Sequence, residues 1–356
     1  MPQLLSIEEF LNSPGPILDA RSPGEFEQGH IPGAISFPLF SNEERAEVGI
    51  CYKHQGHEAA VELGFEIVGP KLASFIRRAK ELTPDKQVRV HCWRGGMRSG
   101  SMSWLLETAG LRVTTLTGGY KAFRRWVRET VAVPKPIVVL GGMTGTDKTS
   151  ILHALSQQGA QVLDLEGLAN HRGSSYGGLE MPPQPSTEQF ENLIAMQWTA
   201  FDATKPIWVE AESRRIGVCR IPDDLFLQME AALTLEVIRP VSERLELLAK
   251  LYGQADLETL VIATERIRKR LGGQRTQEAV DYIRAGNLKP AIAIILDYYD
   301  RTYRYDLDRR QKTIPQVDIT GLSPKEGADL VEQTASKLLE EISFHPATKP
   351  LVAPAP

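Results

Sequence analysis

Residues 87–99 carry the stretch Gln-Val-Arg-Val-His-Cys-Trp-Arg-Gly-Gly-Met-Arg-Ser, which decides the fold of the first third of the chain. The alternation of polar and apolar residues up to His91 predicts a short strand. A cysteine stands at the end of this strand, and a loop with two glycines and two arginines follows it. Glycines let backbone N–H groups point inward as an anion nest, and guanidinium groups add positive charge and forked donors. The candidate catalytic residues are Cys92, Arg94, Gly95, Gly96 and Arg98.

Cations beside a thiol lower its pKa, so this loop predicts that Cys92 is a nucleophilic thiolate. A buried inert cysteine beside a glycine turn is the other interpretation, but it does not account for the arginines. Five residues separate Cys92 from Arg98, which makes the loop wide enough for a phosphate-like oxyanion. The same spacing, with Ser99 after the arginine, is also the pattern of cysteine phosphatases. The loop alone therefore leaves open both phosphate-ester hydrolysis and chalcogen transfer from a phosphate-bearing donor.

Further signatures flank this loop in chain order. They are Pro-Ile-Leu-Asp-Ala-Arg at 16–21, Glu-Phe at 25–26, Gly-His-Ile-Pro-Gly-Ala at 29–34 and Thr-Leu-Thr-Gly-Gly-Tyr at 115–120. With the cysteine loop they resemble a rhodanese domain over about residues 1–130. The resemblance implies an α/β domain in which Cys92 carries a persulfide or perselenide and in which Asp19 and Arg21 frame the site. A surface ion pair that fixes a turn is the alternative for those two residues.

A second strand, loop and helix begin at residue 136. Pro-Ile-Val-Val-Leu at 136–140 is typical of a buried parallel strand, and Gly-Gly-Met-Thr-Gly-Thr-Asp-Lys-Thr-Ser follows at 141–150. This order is that of a P-loop, where backbone N–H groups and a helix N-terminus hold phosphates and a lysine reaches between them. Asp147 stands where the P-loop pattern has glycine, and its carboxylate argues against tight nucleotide binding. The candidate diphosphate-binding residues are Gly142, Thr144, Gly145, Lys148, Thr149 and Ser150.

Two carboxyl groups stand at the end of a later strand, Pro-Ile-Trp-Val-Glu at 206–210: Glu210 is its last residue, and Glu212 follows two positions later. Its position suits the acidic strand of a P-loop domain, with Glu210 or Glu212 near a metal ion or a leaving group. A helix cap, or an ion pair with Arg214, is an equally open interpretation. The polar stretch 164–177 lies between the two strands and predicts a loop that contacts an acceptor or a phosphate, unless it is simply solvated. The candidate contacts in this loop are His171, Arg172 and Ser174.

The composition predicts a cytoplasmic enzyme of at least two domains. The chain has 356 residues, 42% hydrophobic and 24% charged, which is ordinary for globular domains. Its three cysteines, Cys51, Cys92 and Cys219, have no metal-ligand spacing, so we expect no metal site of that kind and a reducing compartment. No apolar run approaches the roughly 20 residues of a membrane span, and the first residues show no signal pattern.

The net charge of −4 argues against a generic nucleic-acid binder, so any RNA surface must be local. Arg-Ile-Arg-Lys-Arg at 266–270 is predicted on a helix, and tyrosines alternate with arginines at 298–305. Cations with interleaved aromatic rings suit RNA phosphates and bases, although a solvated helix face is the alternative. The candidate RNA-binding residues are Arg214, Arg215, Arg266, Arg268, Lys269, Arg270, Arg275, Arg301 and Arg304.

The domain boundaries follow from proline-rich and polar segments. Val-Pro-Lys-Pro at 133–136 predicts a short stiff linker. We expect a rhodanese-like domain over 1–131 and a linker over 132–136. A P-loop NTPase-like parallel α/β domain should follow over 137–320, with a helical, locally basic insert at about 240–310. The chain should end with an amphipathic terminal helix over 321–342 and a disordered tail over 343–356.

The second half also carries Leu-Glu-Gly-Leu-Ala-Asn-His-Arg-Gly-Ser at 165–174 and Glu-Ser-Arg-Arg-Ile-Gly at 212–217. Together with the two loops, these stretches resemble the tRNA 2-selenouridine synthase family over about residues 4–320. The resemblance implies a transferase that converts 2-thiouridine at the wobble position of the tRNA anticodon to 2-selenouridine. It implies selenophosphate and geranyl diphosphate as co-substrates, with S-geranylation on the way to selenium.

The same resemblance implies tRNA and the selenophosphate-producing enzyme as partners, and the lack of an apolar run of membrane-spanning length predicts no membrane partner. It allows for Mg²⁺ and predicts no ATP hydrolysis, because a diphosphate can occupy a P-loop without it. Two other functions stay open from the residues. One is a cysteine phosphatase with a regulatory P-loop module. The other is a sulfurtransferase or persulfide carrier that uses a non-catalytic P-loop half for docking.

Overall fold

The computed structural model describes residues 2–309 and 314–344, with side chains up to residue 301 and from residue 314 to 341. The chain forms two compact units, Met1–Val133 with Ser186–Thr199 and Pro134–Pro185 with Ala200–Pro356. Each unit contains a parallel sheet of five strands with helices, which confirms the predicted α/β class. Among the described residues, no helix combines the length and the apolar character needed to span a bilayer.

The first unit is built on strands β1 (Gln3–Leu5), β2 (Ile17–Asp19), β3 (Ile35–Ser36), β4 (Gln87–His91) and β5 (Arg112–Leu116). Its helices up to residue 132 are α1 (Ile7–Asn12), α2 (Pro23–Gln28), α3 (Asn42–Gln55), α4 (His57–Val68), α5 (Leu72–Leu82), α6 (Met97–Thr108) and α7 (Gly119–Ala132). The sheet order is β1-β5-β4-β2-β3. The strand predicted at 87–91 is therefore β4, in the middle of the sheet. Central parallel strands are buried on both faces, and Leu18, Val88 and Val90 lie in the core with Phe37 and Met102.

The register between β2 and β4 places two sequence-distant segments side by side. Asp19 pairs with His91, and the Ala20 N–H donates to the His91 carbonyl over 2.9 Å. Both strands therefore end at the same edge of the sheet. Arg21 and Cys92 follow directly after these ends, which explains why their segments meet.

The second unit begins with β6 (Ile137–Gly142), α8 (Lys148–Gln157), β7 (Gln161–Leu163) and α9 (Leu165–Ala169). After α10 (Thr187–Ala200), which belongs to the first unit, it continues with β8 (Ile207–Glu210), β9 (Arg215–Ile216), β10 (Cys219–Arg220), α11 (Asp223–Ala231) and β11 (Leu233–Ile238). The sheet order is β12-β11-β6-β8-β7, where β12 is Gln316–Asp318. Leu140 of β6 pairs with Glu210 of β8, so the loop after β6 and the carboxyl group at the end of β8 lie at one edge of the sheet.

The helical insert consists of α12 (Val241–Tyr252), α13 (Leu257–Arg266), α14 (Arg268–Leu271), α15 (Gly273–Arg284) and α16 (Leu288–Arg309). These helices enclose their own apolar cluster, which includes Val261, Ile267, Val280, Ile283 and Ile295. The terminal helix α17 runs from Pro324 to Phe344 and buries Ala328 and Val331 in the same cluster as residues of α8. It covers the first two residues of the predicted tail, and residues 345–356 lie outside the described part of the chain.

Helix α10 corrects one predicted boundary. The predicted P-loop domain, 137–320, included residues 186–199, but these residues cluster with the first unit. The Asn192 side-chain amide donates to the His30 carbonyl over 2.9 Å, and the Trp198 indole N–H donates to the Val133 carbonyl over 3.2 Å. An apolar helical pattern predicts that a helix buries one face, but it does not say which sheet receives that face.

Candidate functional site

The Cys92 loop, residues 92–98, leads from β4 into α6. A Cβ atom on Gly95, which has φ +66°, would lie 2.8 Å from the Leu116 carbonyl oxygen. A Cβ atom on Gly119 would lie 2.4 Å from the Cys92 carbonyl oxygen. Only glycine allows the two backbone segments to approach this closely. The Tyr120 N–H also donates to the Cys92 carbonyl over 2.8 Å, so the loop is held from behind.

The Cys92 sulfur lies at the first turn of α6. Its Sγ atom is 3.1 Å from the Ser99 Oγ, and the Ser99 hydroxyl donates to the Gly96 carbonyl over 3.1 Å. A helix N-terminus favours negative charge, so this position suits a thiolate or a bound anion. Cys92 is only 3% exposed, whereas the side chains of Trp93 and Arg94 beside it are exposed.

Arg98 contacts a carboxyl group in addition to lying in the Cys92 loop. Its Nη1 donates to Glu25 Oε2 over 2.6 Å. Burial opposes the ionisation of Glu25, but the hydrogen bonds from Arg98 and from the Ser22 N–H outweigh it and lower the Glu25 pKa to about 2. Burial also opposes the charge of Arg98, yet Glu25 and, more weakly, Cys92 raise the Arg98 pKa. The Arg98 guanidinium therefore interacts both with the Glu25 carboxylate and with the Cys92 loop. The loop sequence does not reveal the contact with Glu25.

Asp19 and Arg21 form a buried pair beneath the loop, so the alternative of a surface ion pair is wrong. Both side chains are fully buried, and Arg21 Nη2 lies 2.6 Å from Asp19 Oδ2. The Arg21 guanidinium also donates to the Gly29 carbonyl over 2.6 Å and lies 3.7 Å from the centre of the Tyr120 ring. Because Tyr120 holds the Cys92 backbone, this pair supports the loop from below.

The P-loop, residues 141–149, connects β6 to α8 as its sequence predicts. Gly142 and Gly145 have φ values of +151° and +81°, which favour glycine. Asp147 takes the left-handed conformation, with φ 70° and ψ 32°, at the N-terminus of α8. Aspartate tolerates this conformation better than most residues, so the loop keeps its path without the expected glycine. The Lys148 ammonium donates to the Gly142 carbonyl over 2.8 Å and lies over the loop.

Three carboxyl groups, Glu166, Glu210 and Glu212, form a cluster beside the P-loop. The Glu166 N–H donates to Glu210 Oε1 over 2.6 Å, and the Thr149 hydroxyl donates to Glu166 Oε2 over 3.1 Å. Burial raises the pKa of Glu210 well above its usual value. Burial, and then the charge of Glu166, raise the Glu212 pKa to about 8, and a hydrogen bond joins the two side chains. The cluster therefore keeps at least one proton at neutral pH.

Glu166 was not among the residues selected from the sequence. It follows the short strand β7 by three positions, and the motif Leu-Glu-Gly-Leu-Ala contains no feature that separates it from a solvated helix start. The parallel pairing of β7 with β8 brings it beside Glu210. A carboxyl group just after a strand of the same parallel sheet was the signal that could have identified it.

The 171–177 loop lies directly over this cluster. A Cβ atom on Gly173, which has φ +66°, would lie 2.6 Å from Glu212 Oε1 and 2.9 Å from Glu166 Oε1. The Arg172 N–H donates to the Gly177 carbonyl over 2.9 Å, which closes the loop into a compact turn. Burial lowers the pKa of His171, and its Nδ1 has no hydrogen-bond partner among the described residues. Of the predicted contacts, the structure brings His171, Arg172 and Ser174 to the same edge as the P-loop.

Comparison with known proteins identifies both halves. Residues 5–125 match the family described as rhodanese-like domain, and residues 135–264 match the tRNA 2-selenouridine synthase AAA domain. A tRNA 2-selenouridine synthase from Marinobacter nauticus is 36% identical over 341 residues, covering 86% of this chain and 91% of that protein. The chain belongs to the tRNA 2-selenouridine synthase family. A second member, from Hydrogenovibrio crunogenus, is 34% identical over 370 residues, covering 90% of this chain and 96% of that protein. The predicted resemblance is confirmed.

In this member of the tRNA 2-selenouridine synthase family, several predicted RNA-binding cations are ion-paired. Arg275 and Arg301 both contact Asp297, at 2.6 and 2.7 Å. Arg214 contacts Asp223 at 3.0 Å, and Arg268 contacts Glu265 at 2.9 Å. Exposed pairs are weak, so they do not prevent phosphate binding, but they reduce the local positive charge.

The helix predicted through residues 266–270 is interrupted. Helix α13 ends at Arg266 and α14 begins at Arg268, with Ile267 buried between them. Among the candidate cations whose side chains the structure describes, four are exposed and form no ion pair: Arg215, Arg266, Lys269 and Arg270. Tyr298 and Tyr299, predicted as stacking surfaces, pack against the helical core. The side chain of Arg304 lies outside the described residues.

Proposed function

We propose that this protein is a transferase that converts wobble 2-thiouridine in the tRNA anticodon to 2-selenouridine, with selenophosphate as selenium donor and with S-geranylation by geranyl diphosphate as the activating step. Both named relatives are tRNA 2-selenouridine synthases. The observation that carries the proposal is that one chain holds a cysteine at a helix N-terminus and a P-loop flanked by a protonated carboxyl cluster. The first suits a selenium-bearing anion and the second suits a diphosphate leaving group.

In the geranylation step, the sulfur of 2-thiouridine attacks C1 of the geranyl group. A C–S bond forms, the C–O bond to the diphosphate breaks, and the diphosphate leaves with the bonding electrons. The uridine N3 proton passes to water. Lys148 and the backbone N–H groups of the P-loop stabilise the charge that develops on the leaving group. Glu212, whose pKa of about 8 keeps it protonated, supplies a neutral hydrogen-bond donor nearby rather than a repelling carboxylate.

In the selenation step, the Cys92 thiolate attacks the phosphorus atom of selenophosphate, an S–P bond forms, the P–Se bond breaks and hydroselenide leaves. Water then cleaves the S–P bond, which gives phosphate and the free thiol. Hydroselenide attacks C2 of the S-geranylated uridine, a C–Se bond forms, the C–S bond breaks and geranyl thiol leaves. The Cys92 loop is the proposed site for the selenium-bearing anion, because the first turn of α6 favours negative charge there. Arg94, which is exposed at the loop, is the proposed contact for the phosphoryl group of the donor.

Mg²⁺ was allowed for by the sequence, and the residues around the P-loop do not fit a preformed site for it. The Thr149 hydroxyl donates to Glu166, and burial raises the pKa of both Glu210 and Glu212. In the described part of the chain, no group of three or more His, Cys, Asp or Glu side chains is arranged to hold a metal ion. No step of the proposed reaction uses the ion.

The proposed partners are tRNA and the enzyme that produces selenophosphate, because selenophosphate is consumed at the first site. The proposed compartment is the cytoplasm, where tRNA is modified. The proposed step at the P-loop needs no ATP hydrolysis, because geranyl diphosphate already carries the leaving group.

Incubation of the purified protein with tRNA that contains 2-thiouridine tests the function. Geranyl diphosphate alone should give S-geranyl-2-thiouridine, and the addition of selenophosphate should give 2-selenouridine, both measured by mass spectrometry of the nucleosides. Absence of both products from a folded, tRNA-bound protein would remove the proposal. Cysteine-phosphatase activity is the second candidate, because Ser99 lies 3.1 Å from the Cys92 sulfur as in the predicted phosphatase pattern. Hydrolysis of p-nitrophenyl phosphate, lost in Cys92→Ser, would favour it.

A further inference from the structure

A pocket of about 480 Å³ lies in the first unit, between the helices α3 and α4 and the first turns of α6. This volume falls within the range of roughly 300–1,000 Å³ that is usual for small-ligand sites. The lining positions of α3 include Arg45, Val48 and Tyr52, and those of α4 include His57, Val61 and Phe65. These positions recur at three- and four-residue intervals, so each helix turns one face to the pocket.

The pocket shares a wall with the Cys92 loop. Met97 and Arg98, the last two residues of that loop, line the pocket, and so does Ser101 one turn further along α6. A ligand in the pocket would therefore lie against the loop that is proposed to hold the selenium-bearing anion.

Aromatic rings stand at the opening of the pocket. Tyr52 and Phe65 line it although they are 59% and 60% exposed, so they lie at its rim. The ring of His57 packs edge-on against the ring of Tyr52, with 6.3 Å between the ring centres. Proteins hold unstacked RNA bases by stacking them on exposed rings of this kind.

The pocket also offers polar groups that are free to bind a ligand. Among the described residues, neither the Ser101 hydroxyl nor the His57 ring nitrogens have a hydrogen-bond partner. Arg45 is half exposed and lies 3.9 Å from Glu25, which is also paired with Arg98. One carboxylate thus faces two guanidinium groups, which leaves a net positive charge at this end of the pocket. A hydrocarbon chain would use none of these groups, whereas a nucleotide has polar base edges and a phosphate.

The chemistry of the selenation step requires a base close to this place. Selenium bonds to C2 of the base, so the base must come within bonding distance of the anion at the Cys92 loop. Enzymes that act on a base in a structured nucleic acid take it out of the stack and hold it in a pocket. The pocket beside Met97 and Arg98 has the room, the rings and the polar groups that such a base needs.

We propose that this pocket binds the unstacked wobble base of the tRNA, with Tyr52 and Phe65 as stacking surfaces and Arg45 as the contact for an adjacent phosphate. The inference rests on the proposed function, since it assigns a subsite to the same tRNA. It makes the α3–α4 pair the part of the first unit that presents the base to the Cys92 loop.

Two anticodon stem-loop RNAs test the inference with the full-length protein. One carries 2-thiouridine at the wobble position, and the other carries a ribose without a base there. Stacking of one base on aromatic rings strengthens binding roughly five- to a hundredfold. The unmodified protein should therefore bind the thiouridine RNA more tightly than the abasic RNA by a factor in this range, measured by fluorescence anisotropy.

Two variants should remove most of this preference and leave the affinity for the abasic RNA unchanged. Tyr52→Ala removes a stacking ring, and its matched control is Ile50→Ala, which removes an exposed apolar side chain of α3 outside the pocket. Gly49→Trp narrows the pocket, because Gly49 lines it and a Cβ atom there would meet nothing within 4 Å. Its matched control is Gly100→Trp, since Gly100 is equally open but does not line the pocket. Both controls should keep the preference.

The phosphate contact has a separate readout. Arg45→Gln should weaken the binding of both RNAs equally, because both contain the phosphate, and should lower the slope of log affinity against log salt by about 1. An unchanged slope would remove Arg45 from the proposed site.

The outcomes separate the inference from the proposed function. If the unmodified protein binds both RNAs equally, or if Tyr52→Ala and Gly49→Trp keep the full preference, the base lies elsewhere and the inference is overturned. If Gly49→Trp keeps the preference but weakens the binding of geranyl diphosphate, the pocket belongs to a hydrocarbon chain instead. If the unmodified protein binds neither RNA, tRNA fails as the substrate and the proposed function fails with it.

Discussion

Arg98 Nη1 lies 2.6 Å from Glu25 Oε2, so the arginine of the Cys92 loop is paired with a carboxylate from α2. The Glu25 pKa of about 2 lies below its ordinary value of 4.5, so the pair is intact at neutral pH. The stability that the ionised carboxylate contributes is fully present above pH 4.5 and is lost as the pH falls from about 4.5 towards 2. Glu25 thus limits the positive charge that Arg98 offers to the thiol or to a bound anion.

Removal of the Glu25 charge should therefore make Cys92 more reactive. In Glu25→Gln the Arg98 cation is no longer neutralised, and the Cys92 thiol should be alkylated faster at neutral pH; in Arg98→Ala it should be alkylated more slowly. The rate of thiol alkylation as a function of pH measures both changes. Glu27→Gln, on the exposed side of the same helix, is the control and should leave the profile where it was. If the unmodified protein and the three variants all gave the same dependence of alkylation rate on pH, Arg98 would only shape the loop.

Replacement of the cysteine should separate the two reactions. Cys92→Ser should abolish 2-selenouridine but leave S-geranyl-2-thiouridine at its normal level or above, because the P-loop lies in the other unit. Nucleosides from the tRNA of cells that express the variant give the answer. Cys51→Ser, which changes another buried cysteine of the first unit, should retain both products. Normal selenouridine in Cys92→Ser would remove this thiol from the reaction.

The charge of Asp147 should weaken diphosphate binding. A carboxylate about 4 Å from a diphosphate oxygen costs ~4 kcal/mol at an effective dielectric near 20, and each 1.4 kcal/mol is about tenfold in affinity. Asp147→Gly should therefore bind geranyl diphosphate at least about tenfold more tightly, and Lys148→Ala in that background should reverse the gain. Asp147→Asn keeps the size and tolerates the left-handed conformation. If Asp147→Asn binds geranyl diphosphate as tightly as Asp147→Gly, the charge of Asp147 is responsible for the weaker binding. If calorimetry finds the same affinity for the unmodified protein and both variants, Asp147 points away from the ligand.

Protonation of the carboxyl cluster should make stability fall with rising pH. Burial and the charge of Glu166 raise the Glu212 pKa to about 8. Between about pH 4.5 and 8 the folded state therefore holds a proton that the unfolded state has already released. Stability from this group is present below pH 4.5 and is lost as the pH rises through 8. Glu212→Gln should flatten this part of the melting-temperature profile, measured by calorimetry between pH 5.5 and 9. Glu62→Gln, which changes an exposed residue, is the control and should show the same slope of melting temperature against pH as the unmodified protein. The same slope in Glu212→Gln would show that Glu212 is ionised throughout this pH range.

The exposed cations of α13 and α14 should bind tRNA phosphates. Combined replacement of Arg266, Lys269 and Arg270 by glutamine should weaken tRNA binding and lower the slope of log affinity against log salt by about 1 for each lost contact. Filter binding at a series of salt concentrations measures both. Lys325→Gln is the control, because Lys325 is an exposed cation of α17 that is not among the candidate RNA-binding residues. An unchanged slope in the triple variant would place the RNA surface elsewhere.

The local parts of both sites could be predicted from the sequence, and the long-range parts could not. A strand that ends just before Cys92, and another that ends at Gly142, can be predicted from short continuous stretches of sequence, so the α/β class follows from them. The partnership of Arg98 with Glu25 spans 73 positions, and that of Glu166 with Glu210 spans 44. Such pairs depend on sheet order and register, which side-chain patterns do not encode without an alignment.

The continuity of the predicted basic helix was wrong for a physical reason. Arginines at 266–270 look like one basic helix face in the sequence, but Ile267 is buried and interrupts the helix. Tyrosines near residue 300 looked like RNA-stacking surfaces, although an aromatic ring that packs in a core has the same spacing as one that faces solvent. Burial is decided by neighbours far away in the chain, and composition cannot supply them.

The placement of α10 has a consequence for how the chain folds during synthesis. The first unit needs residues 186–199, in which Phe190, Ile194 and Trp198 are fully buried. It cannot be completed when the ribosome has released only its first 133 residues. By the time α10 emerges, β6, α8 and β7 of the second unit have already left the exit tunnel. The first unit can therefore be completed only after the beginning of the second unit has been synthesised, and a fragment cut at residue 133 would lack a helix whose apolar side chains the first unit buries.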